Sequence, residues 1–285
     1  MSRPVTVSIV GAGQIGTLLG MALMANPRQR VATVGLYDLD PEVARRALAR
    51  GAGQRELPDP DTCLESDIVL LAVPVDQIVA WLESYGPALR PGTLVLDTGS
   101  SKQRVAQAMR AHLSPAVHGI GGHPIVGTEG AGPEAAVPGK LEGAAFALTP
   151  ARQDRVAQQR ATELAGWLGC RVVLLEPEEH DRILARTSHL PHLVAAALVE
   201  VAARLDGEPV PALVGPGWLG ATRLAASDPA MVTGFLATNS GQLALALREL
   251  VRELERLGRA LQAGPGPLEA ALTRARCARA ELEPG

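Results

Sequence analysis

One histidine of this chain lies inside a run of glycine and proline that an ordinary helix would not tolerate. The run extends from Gly119 to Gly132, and His123 stands directly before Pro124. Pro124 disfavours helical backbone angles at His123, and the glycines permit angles that other residues avoid. We therefore predict a weak strand around residues 116–120, followed by a shaped loop that presents one imidazole for proton transfer near neutral pH. A glycine-rich surface turn with an incidental histidine would fit this run equally well.

Two hydroxyl groups precede this run, at the end of a predicted strand over residues 92–97. Ser100 and Ser101 follow that strand and lead into a helix predicted over residues 102–112. In the simpler interpretation one of the hydroxyls caps this helix. In the functional interpretation one of them orients His123. The residues by themselves leave both interpretations open.

A glycine-rich turn near the amino terminus predicts a phosphate-binding site. It follows the β-branched run Val5 to Val10 and opens an apolar helix over residues 17–25. Glycines in this context permit a tight turn and the close approach of a pyrophosphate, which the free N–H groups of the helix then bind. A packing motif without a ligand is the alternative. The residues predicted to contact the cofactor here are Gly11, Gly13, Gln14, Ile15 and Gly16.

Asp38, at the end of the next predicted strand, indicates which dinucleotide binds. A carboxylate at that position accepts hydrogen bonds from ribose hydroxyls and repels a 2′-phosphate, so we predict NAD in preference to NADP. Arg45 and Arg46 lie further along the following helix and are expected to face solvent. Val73 and Pro74 end the apolar strand that begins at Asp67. They are predicted to line the cofactor site, because ligands bind at the carboxyl ends of such strands.

Composition excludes several classes of protein. The chain has 285 residues, 47% of them hydrophobic and 20% charged, which is typical of a globular protein with two domains. A net charge of −3 gives no basic surface for nucleic acid. Three widely spaced cysteines indicate a reducing compartment and no disulfide framework. Without a signal peptide or a long apolar run, we expect a cytoplasmic protein that does not enter a membrane.

The order of predicted elements indicates an α/β fold followed by a helical region. Strands and helices alternate as far as Glu176, so we predict an N-terminal Rossmann-like nucleotide-binding domain over residues 1–176. The strand signal then stops, and we predict an all-helical dimerisation domain over residues 177–285. The helix from Leu193 to Leu205 is apolar on nearly every face, and a later helix carries a leucine seam. So small a domain cannot easily bury both helices, which predicts a homodimer.

The second half contains further candidates for a binding site. His189 and His192 lie three residues apart on one predicted helix face, and His180 precedes them. No third ligand stands at a recognisable spacing, so we expect no metal site. His189 is expected to be structural, whereas His192 could reach a substrate. Arg223, at the end of a predicted glycine-rich linker, could bind a carboxylate through two parallel hydrogen bonds, although surface ion pairs are commoner for a lone arginine.

Three motifs resemble those of the prephenate and arogenate dehydrogenases of tyrosine biosynthesis. They are Asp97 to Lys102, Gly122 to Glu129, and His180-Asp181 through Ser188 to His192. The resemblance extends from residue 5 to about residue 240 and implies the same two-domain architecture. It further implies an oxidative decarboxylation. Hydride leaves the ring carbon that bears the hydroxyl and passes to NAD, while the ring carboxylate departs as carbon dioxide.

The matching motif positions also imply roles in catalysis. His123 would hydrogen-bond the ring hydroxyl of the substrate and take its proton. Ser100 would hold His123 and touch the same hydroxyl. Ser101, where a small apolar residue is common in the family, is a second candidate for this contact.

Substrate binding is implied for residues of both halves of the chain. Arg223 would bind a substrate carboxylate, His192 would line the same pocket, and Glu129 would shape its entrance. Leu219 and Gly220 stand where family members often carry an Arg-Asp pair, which alters local loop contacts and leaves the Thr-Arg context of Arg223 intact.

Other functions remain as alternatives. Two-domain β-hydroxyacid and imine reductases typically rely on a lysine in the helical domain, and no lysine follows Glu176. A relative acting on a modified prephenate is a further alternative. A non-catalytic, dinucleotide-sensing dimer would keep the glycine turn and Asp38 but would not need Ser100, His123 and Arg223. The choice between prephenate and arogenate stays open, and we expect a monofunctional enzyme without a regulatory domain.

Overall fold

The computed structural model describes residues 4–26, 31–127, 130–205 and 209–283. The chain divides into two compact units. The first comprises Met1–Leu184 and Asp228–Asn239, and the second comprises Ala185–Ser227 and Ser240–Gly285. The predicted domain boundary after Glu176 stays a prediction, because the compact units divide at other positions.

An eight-stranded sheet organises the described part of the first unit. Its strands are β1 (Val5–Val10), β2 (Val31–Tyr37), β3 (Arg55–Glu56), β4 (Ile68–Leu71), β5 (Leu94–Asp97), β6 (His118–Pro124), β7 (Ala145–Pro150) and β8 (Arg171–Leu174). The order across the sheet is β3-β2-β1-β4-β5-β6-β7-β8, and every neighbouring pair is parallel except β6 and β7. Each face carries its own cluster of buried apolar side chains. This arrangement confirms the predicted α/β, Rossmann-like class.

Helices connect the strands and make up the second unit. They are α1 (Gln14–Ala25), α2 (Pro41–Ala49), α3 (Val75–Tyr85), α4 (Gln103–His112), α5 (Arg155–Trp167), α6 (Pro177–Leu184), α7 (Leu190–Ala203), α8 (Val210–Leu213), α9 (Pro216–Thr222), α10 (Pro229–Thr238), α11 (Ser240–Ala263) and α12 (Pro265–Leu282). Of these, α10 belongs to the first unit. Asp228 caps this helix, because its carboxylate accepts a hydrogen bond from the backbone N–H of Met231.

The strand predicted to end near Ile120 continues as far as Pro124, so His123 lies on a strand and not in the predicted loop. β6 pairs in parallel with β5 and antiparallel with β7, and His123 lies opposite Ala147. A Cβ added to Gly122 would lie 2.5 Å from the carbonyl oxygen of Asp97. The glycine therefore serves the close approach of neighbouring strands, a role that sequence cannot distinguish from a turn.

The second unit is helical in its described residues, and one of its helices was misassigned. The stretch predicted as a glycine-rich linker forms α9, which passes into a 3₁₀ turn at Arg223–Ala226. Pro216 supplies the first helical turn there, where its missing N–H is harmless. Within α7 only Ala195 is buried, and Val201 is 64% exposed. An apolar helix that its own unit leaves uncovered requires another surface to cover it.

Three further features bear on the class of protein. No described helix has the length and apolar character needed to cross a bilayer. Cys63, Cys170 and Cys277 are all free thiols. Among the described residues, no group of three or more His, Cys, Asp or Glu side chains is arranged to hold a metal ion.

Candidate active site

The glycine turn lies at the carboxyl end of β1 and at the start of α1. Gly11 has φ +94°, and a Cβ there would lie 2.5 Å from the carbonyl oxygen of Ala72. Gly13 caps α1 without a side-chain hydrogen bond, no acidic residue follows in the first turn, and a Cβ on Gly13 would meet nothing within 4 Å. Among the described residues, no side-chain hydrogen bond caps the amino end of α1, which leaves its N–H groups available for the pyrophosphate of a dinucleotide.

Asp38 supports this turn from the neighbouring strand. Its Oδ2 accepts a hydrogen bond from the backbone N–H of Ala12 at 2.8 Å, and the carboxylate remains half-buried beside the end of β2. Arg45 is exposed and pairs with Glu42 at 3.1 Å. Arg46, also exposed, lies 3.4 Å from Glu134. The strand end therefore carries a negative charge, and both arginines of α2 lie beside acidic partners. This arrangement fits a ribose with free hydroxyls better than a 2′-phosphate.

The side chain of Gln14 is engaged within the protein. Its Nε2 donates to the carbonyl oxygen of Ala135 at 2.9 Å, and Arg50 donates to that of Ala136 at 2.7 Å. The buried amide of Gln14 therefore fastens the segment after β6 onto α1. The cofactor contact predicted for Gln14 and Ile15 stays a prediction and would be made by their backbone N–H groups.

Val73 and Pro74 lie where the sequence predicted them. Both follow β4 at the same sheet edge as the glycine turn, and a Cβ on Gly11 would lie 2.6 Å from Cγ1 of Val73. Pro74 is exposed and caps α3. Their contact with a cofactor stays a prediction.

His123 lies at the carboxyl end of β6 and is half-buried. Its Nδ1 is 2.9 Å from Nε2 of His180, and the two rings meet at an interplanar angle of 60°. The carboxyl ends of β1, β4, β5 and β6 share one edge of the sheet, because these strands are parallel. The imidazole therefore stands at the same edge as the glycine turn, where doubly wound sheets bind their ligands.

His180 and Asp181 extend this contact into the interior of the unit. His180 is fully buried, and its Nδ1 lies 2.8 Å from Oδ1 of Asp181. The Asp181 carboxylate also accepts the backbone N–H groups of Lys102 at 2.7 Å and Gln103 at 2.9 Å. These two N–H groups open α4. The carboxylate thus occupies the anion-binding end of a helix.

Beneath His123 lies a buried lysine. Nζ of Lys102 pairs with the carboxylate of Asp97 and donates to the carbonyl oxygen of Gly122 at 2.7 Å, and both charged side chains are wholly inaccessible. Burial lowers the pKa of Lys102, and the adjacent Asp97 charge opposes that shift. Since Gly122 precedes His123, this pair fixes the backbone that carries the imidazole.

The two serines differ in their surroundings. Ser100 is half-buried in the turn after β5, at the same edge as His123. Ser101 is fully buried, and its hydroxyl has no hydrogen-bond partner among the described residues. The predicted contact between Ser101 and a substrate is therefore not supported, because its side chain is enclosed by the protein. The orienting role predicted for Ser100 has a competitor, since His180 occupies Nδ1 of His123.

Arg223 and His192 belong to the second unit. Arg223 is exposed at the start of its 3₁₀ turn. Burial lowers the pKa of His192, a backbone hydrogen bond with Leu224 opposes this, and the positive charge of Arg223 lowers it further. The two predicted substrate residues thus influence each other within their unit. Glu129, predicted to shape the entrance, lies outside the described residues.

Two side chains near His123 have no role in the site predicted from the sequence. The sequence assigns His180 to a family motif and weighs it only as a metal ligand, although its position directly before Asp181 also suits a hydrogen-bonded His-Asp pair. Lys102 falls at the start of the helix predicted over residues 102–112. An apolar strand ends in Asp97, and a lysine follows five residues later. This pattern is compatible with a buried ion pair, but it is equally compatible with a solvated helix start.

Comparison with known families covers almost the whole chain. Residues 21–174 match the profile described as the prephenate dehydrogenase nucleotide-binding domain, and residues 176–270 match the prephenate dehydrogenase dimerization domain. Cyclohexadienyl dehydrogenase of Zymomonas mobilis is 31% identical over 266 residues, covering 91% of this chain and 89% of the relative. Prephenate dehydrogenase of Bacillus subtilis is 30% identical over 258 residues, covering 88% of this chain and 69% of the relative.

A solved structure gives the same result for the fold. The crystal structure of prephenate dehydrogenase from Aquifex aeolicus, in complex with hydroxyphenyl propionate and NAD⁺, superposes with a TM-score of 0.90 at 26% identity. The superposition covers 99% of each chain.

Proposed function

The chain belongs to the prephenate dehydrogenase family, and from this membership we propose that it oxidatively decarboxylates prephenate or arogenate in tyrosine biosynthesis. It is an NAD-dependent oxidoreductase. The observation that carries the proposal is the position of His123, which stands at the same sheet edge as the uncapped amino end of α1. One edge thus offers a proton acceptor and a dinucleotide site.

The residues at this edge have different roles in the reaction. Bound NAD supplies the acceptor for the hydride that leaves the ring carbon bearing the hydroxyl. His123 accepts the hydroxyl proton as the carbon–oxygen bond gains double-bond character, and Ser100 orients the same hydroxyl. Loss of the ring carboxylate as carbon dioxide returns an electron pair to the ring, and the proton then returns to the phenolate oxygen. Because aromatisation drives the reaction, the protein mainly supplies position and proton transfer.

The assay that tests this proposal measures NADH formation with prephenate and with arogenate in parallel. Turnover of either substrate supports the proposed reaction and assigns the substrate. If neither is turned over while NAD binds, the chain acts on a modified prephenate or serves as a dinucleotide sensor. Repeating the assay with NADP tests the preference attributed to Asp38.

We expect Arg223 to bind a substrate carboxylate. Replacing it with lysine keeps the charge but removes the planar pair of donors, so KM for the substrate should rise about tenfold or more while KM for NAD stays unchanged. Steady-state kinetics in both substrates measures this. Arg204→Lys, at the carboxyl end of α7, is the matched control and should behave like the wild type. An unchanged substrate KM for Arg223→Lys would contradict the assignment.

We further propose that the chain forms a homodimer through the second unit. Two side chains of α7, Leu198 and Val201, are exposed, and α11 exposes Leu247, Val251 and Leu254. A second copy can bury these apolar surfaces, whereas solvent cannot. Analytical ultracentrifugation should give twice the chain mass of 29.7 kDa. Val201→Glu should shift the distribution towards monomer, and a wild-type monomer would refute the proposal.

A further inference from the structure

We infer that His180 and Asp181 are positioning residues for His123, forming a hydrogen-bonded relay that sets the tautomer and basicity of the catalytic imidazole. The inference rests on the proposed function only for its kinetic consequence. Its structural basis is the continuous chain of contacts from His123 Nδ1 to His180 Nε2, and from His180 Nδ1 to Asp181 Oδ1. All three residues lie in the first unit.

The direction of the hydrogen bonds follows from the carboxylate end of the relay. Asp181 accepts two backbone N–H groups, those of Lys102 and Gln103, so its oxygens act as acceptors. Oδ1 therefore also accepts a proton from Nδ1 of His180. A neutral imidazole carries one N–H, so Nε2 of His180 is then the acceptor for Nδ1–H of His123. This assignment leaves Nε2 of His123 as the basic nitrogen, which is the form needed to take a proton.

The relay is held by the structure around it. His180 is completely inaccessible and Asp181 is 2% exposed, so water does not compete for these hydrogen bonds. The backbone oxygen of Asp181 accepts a hydrogen bond at 2.8 Å from the side-chain amide of Asn239, directly after α10. The amino end of α4 holds the carboxylate itself. Asp181 thus serves as an internal anion for that helix and as the counter-charge for an imidazolium formed at His123.

The relay predicts distinct effects for three substitutions. His180→Leu removes the acceptor for Nδ1 of His123, and kcat should fall about 100-fold, within the usual range for general-base catalysis. His180→Gln can still place an acceptor oxygen near Nδ1 and should recover part of that loss. Asp181→Asn removes the charge that stabilises imidazolium. It should lower kcat about tenfold and move the acidic limb of the kcat/KM profile to lower pH.

Asp154→Asn is a matched control from the same unit. Asp154 also lies 2.7 Å from Nδ1 of a histidine, His118, and it also caps a helix, through the backbone N–H groups of Val156 and Ala157. Asp154→Asn should lose no more stability than Asp181→Asn. Because it is not connected to His123, its acidic limb should remain at the wild-type position.

A second measurement does not depend on turnover. In protein labelled with ¹⁵N-histidine, the ring resonances should report a proton on Nδ1 of His123 in the wild type and a mixture of tautomers in His180→Leu. If this shift occurs while neither substrate is turned over, the relay stands and the proposed function fails. If the wild type is active but His180→Leu changes neither the His123 tautomer nor the acidic limb, the relay is refuted.

Discussion

Replacing His123 with asparagine should nearly abolish turnover while leaving NAD binding intact. Asparagine keeps a polar group of similar size but cannot accept a proton at neutral pH, so kcat should fall about 1000-fold. NAD should bind with unchanged affinity, because the uncapped amino end of α1 and Asp38 lie on other elements of the sheet edge. The kcat is measured from NADH formation and NAD affinity from calorimetric titration.

The control for this substitution is His112→Asn, at the end of α4. His112 is a histidine of the same unit without a part in the proposed chemistry. It should retain the wild-type kcat. A His123→Asn protein that keeps its kcat within about tenfold would remove the imidazole from the mechanism, since general-base catalysis accounts for more than that. Lost NAD binding would instead indicate that the substitution disturbed the sheet edge.

Of all the substitutions considered, Lys102→Met should lower the free energy of unfolding most. Methionine fills a similar volume but leaves the Asp97 carboxylate buried without its counter-charge, which costs about 3–5 kcal/mol. For a chain of this size that corresponds to a fall in Tm of about 10 °C, measurable by calorimetry. The kcat should fall as well, because Lys102 also holds the carbonyl oxygen of Gly122 beside His123.

Two further variants separate the ion pair from other effects of the substitution. The chain contains a single other lysine, Lys140, which is only partly buried, so Lys140→Met should change Tm by little. Adding Asp97→Asn to Lys102→Met removes the unpaired charge and should restore part of the lost stability. If Lys102→Met is no less stable than Lys140→Met, the buried pair contributes nothing measurable and the role assigned to it is wrong.

The predicted pH response of the relay follows from its charges. Asp181 favours the imidazolium form of His123 through His180. Without this charge, protonation of His123 requires a lower pH. Because protonation of His123 removes activity, Asp181→Asn should stay active at more acidic pH than the wild type. A change confined to packing would lower kcat without moving the limb, which is why the pH profile distinguishes the two causes.

The sequence by itself determined the class of fold, and it also predicts where the dinucleotide binds. The β-branched run before Gly11 and the apolar helix after Gly16 form local patterns, and each is interpretable without distant contacts. The preference for NAD predicted from Asp38 follows from the place of this residue at the end of the second strand. The motif around His123 indicated the family for the same reason, because its residues are contiguous in the chain.

Only the tertiary structure decided how His123 is held. Its partner His180 is 57 residues away in sequence, and Asp181 meets the start of α4 across 79 residues. No periodicity records such contacts, since they depend on how α6 packs beside the end of the sheet. The prediction that the glycines directly before His123 form a loop was wrong for a related reason. Their freedom is used for close approach between strands, and the neighbouring strand is known only once the sheet has formed.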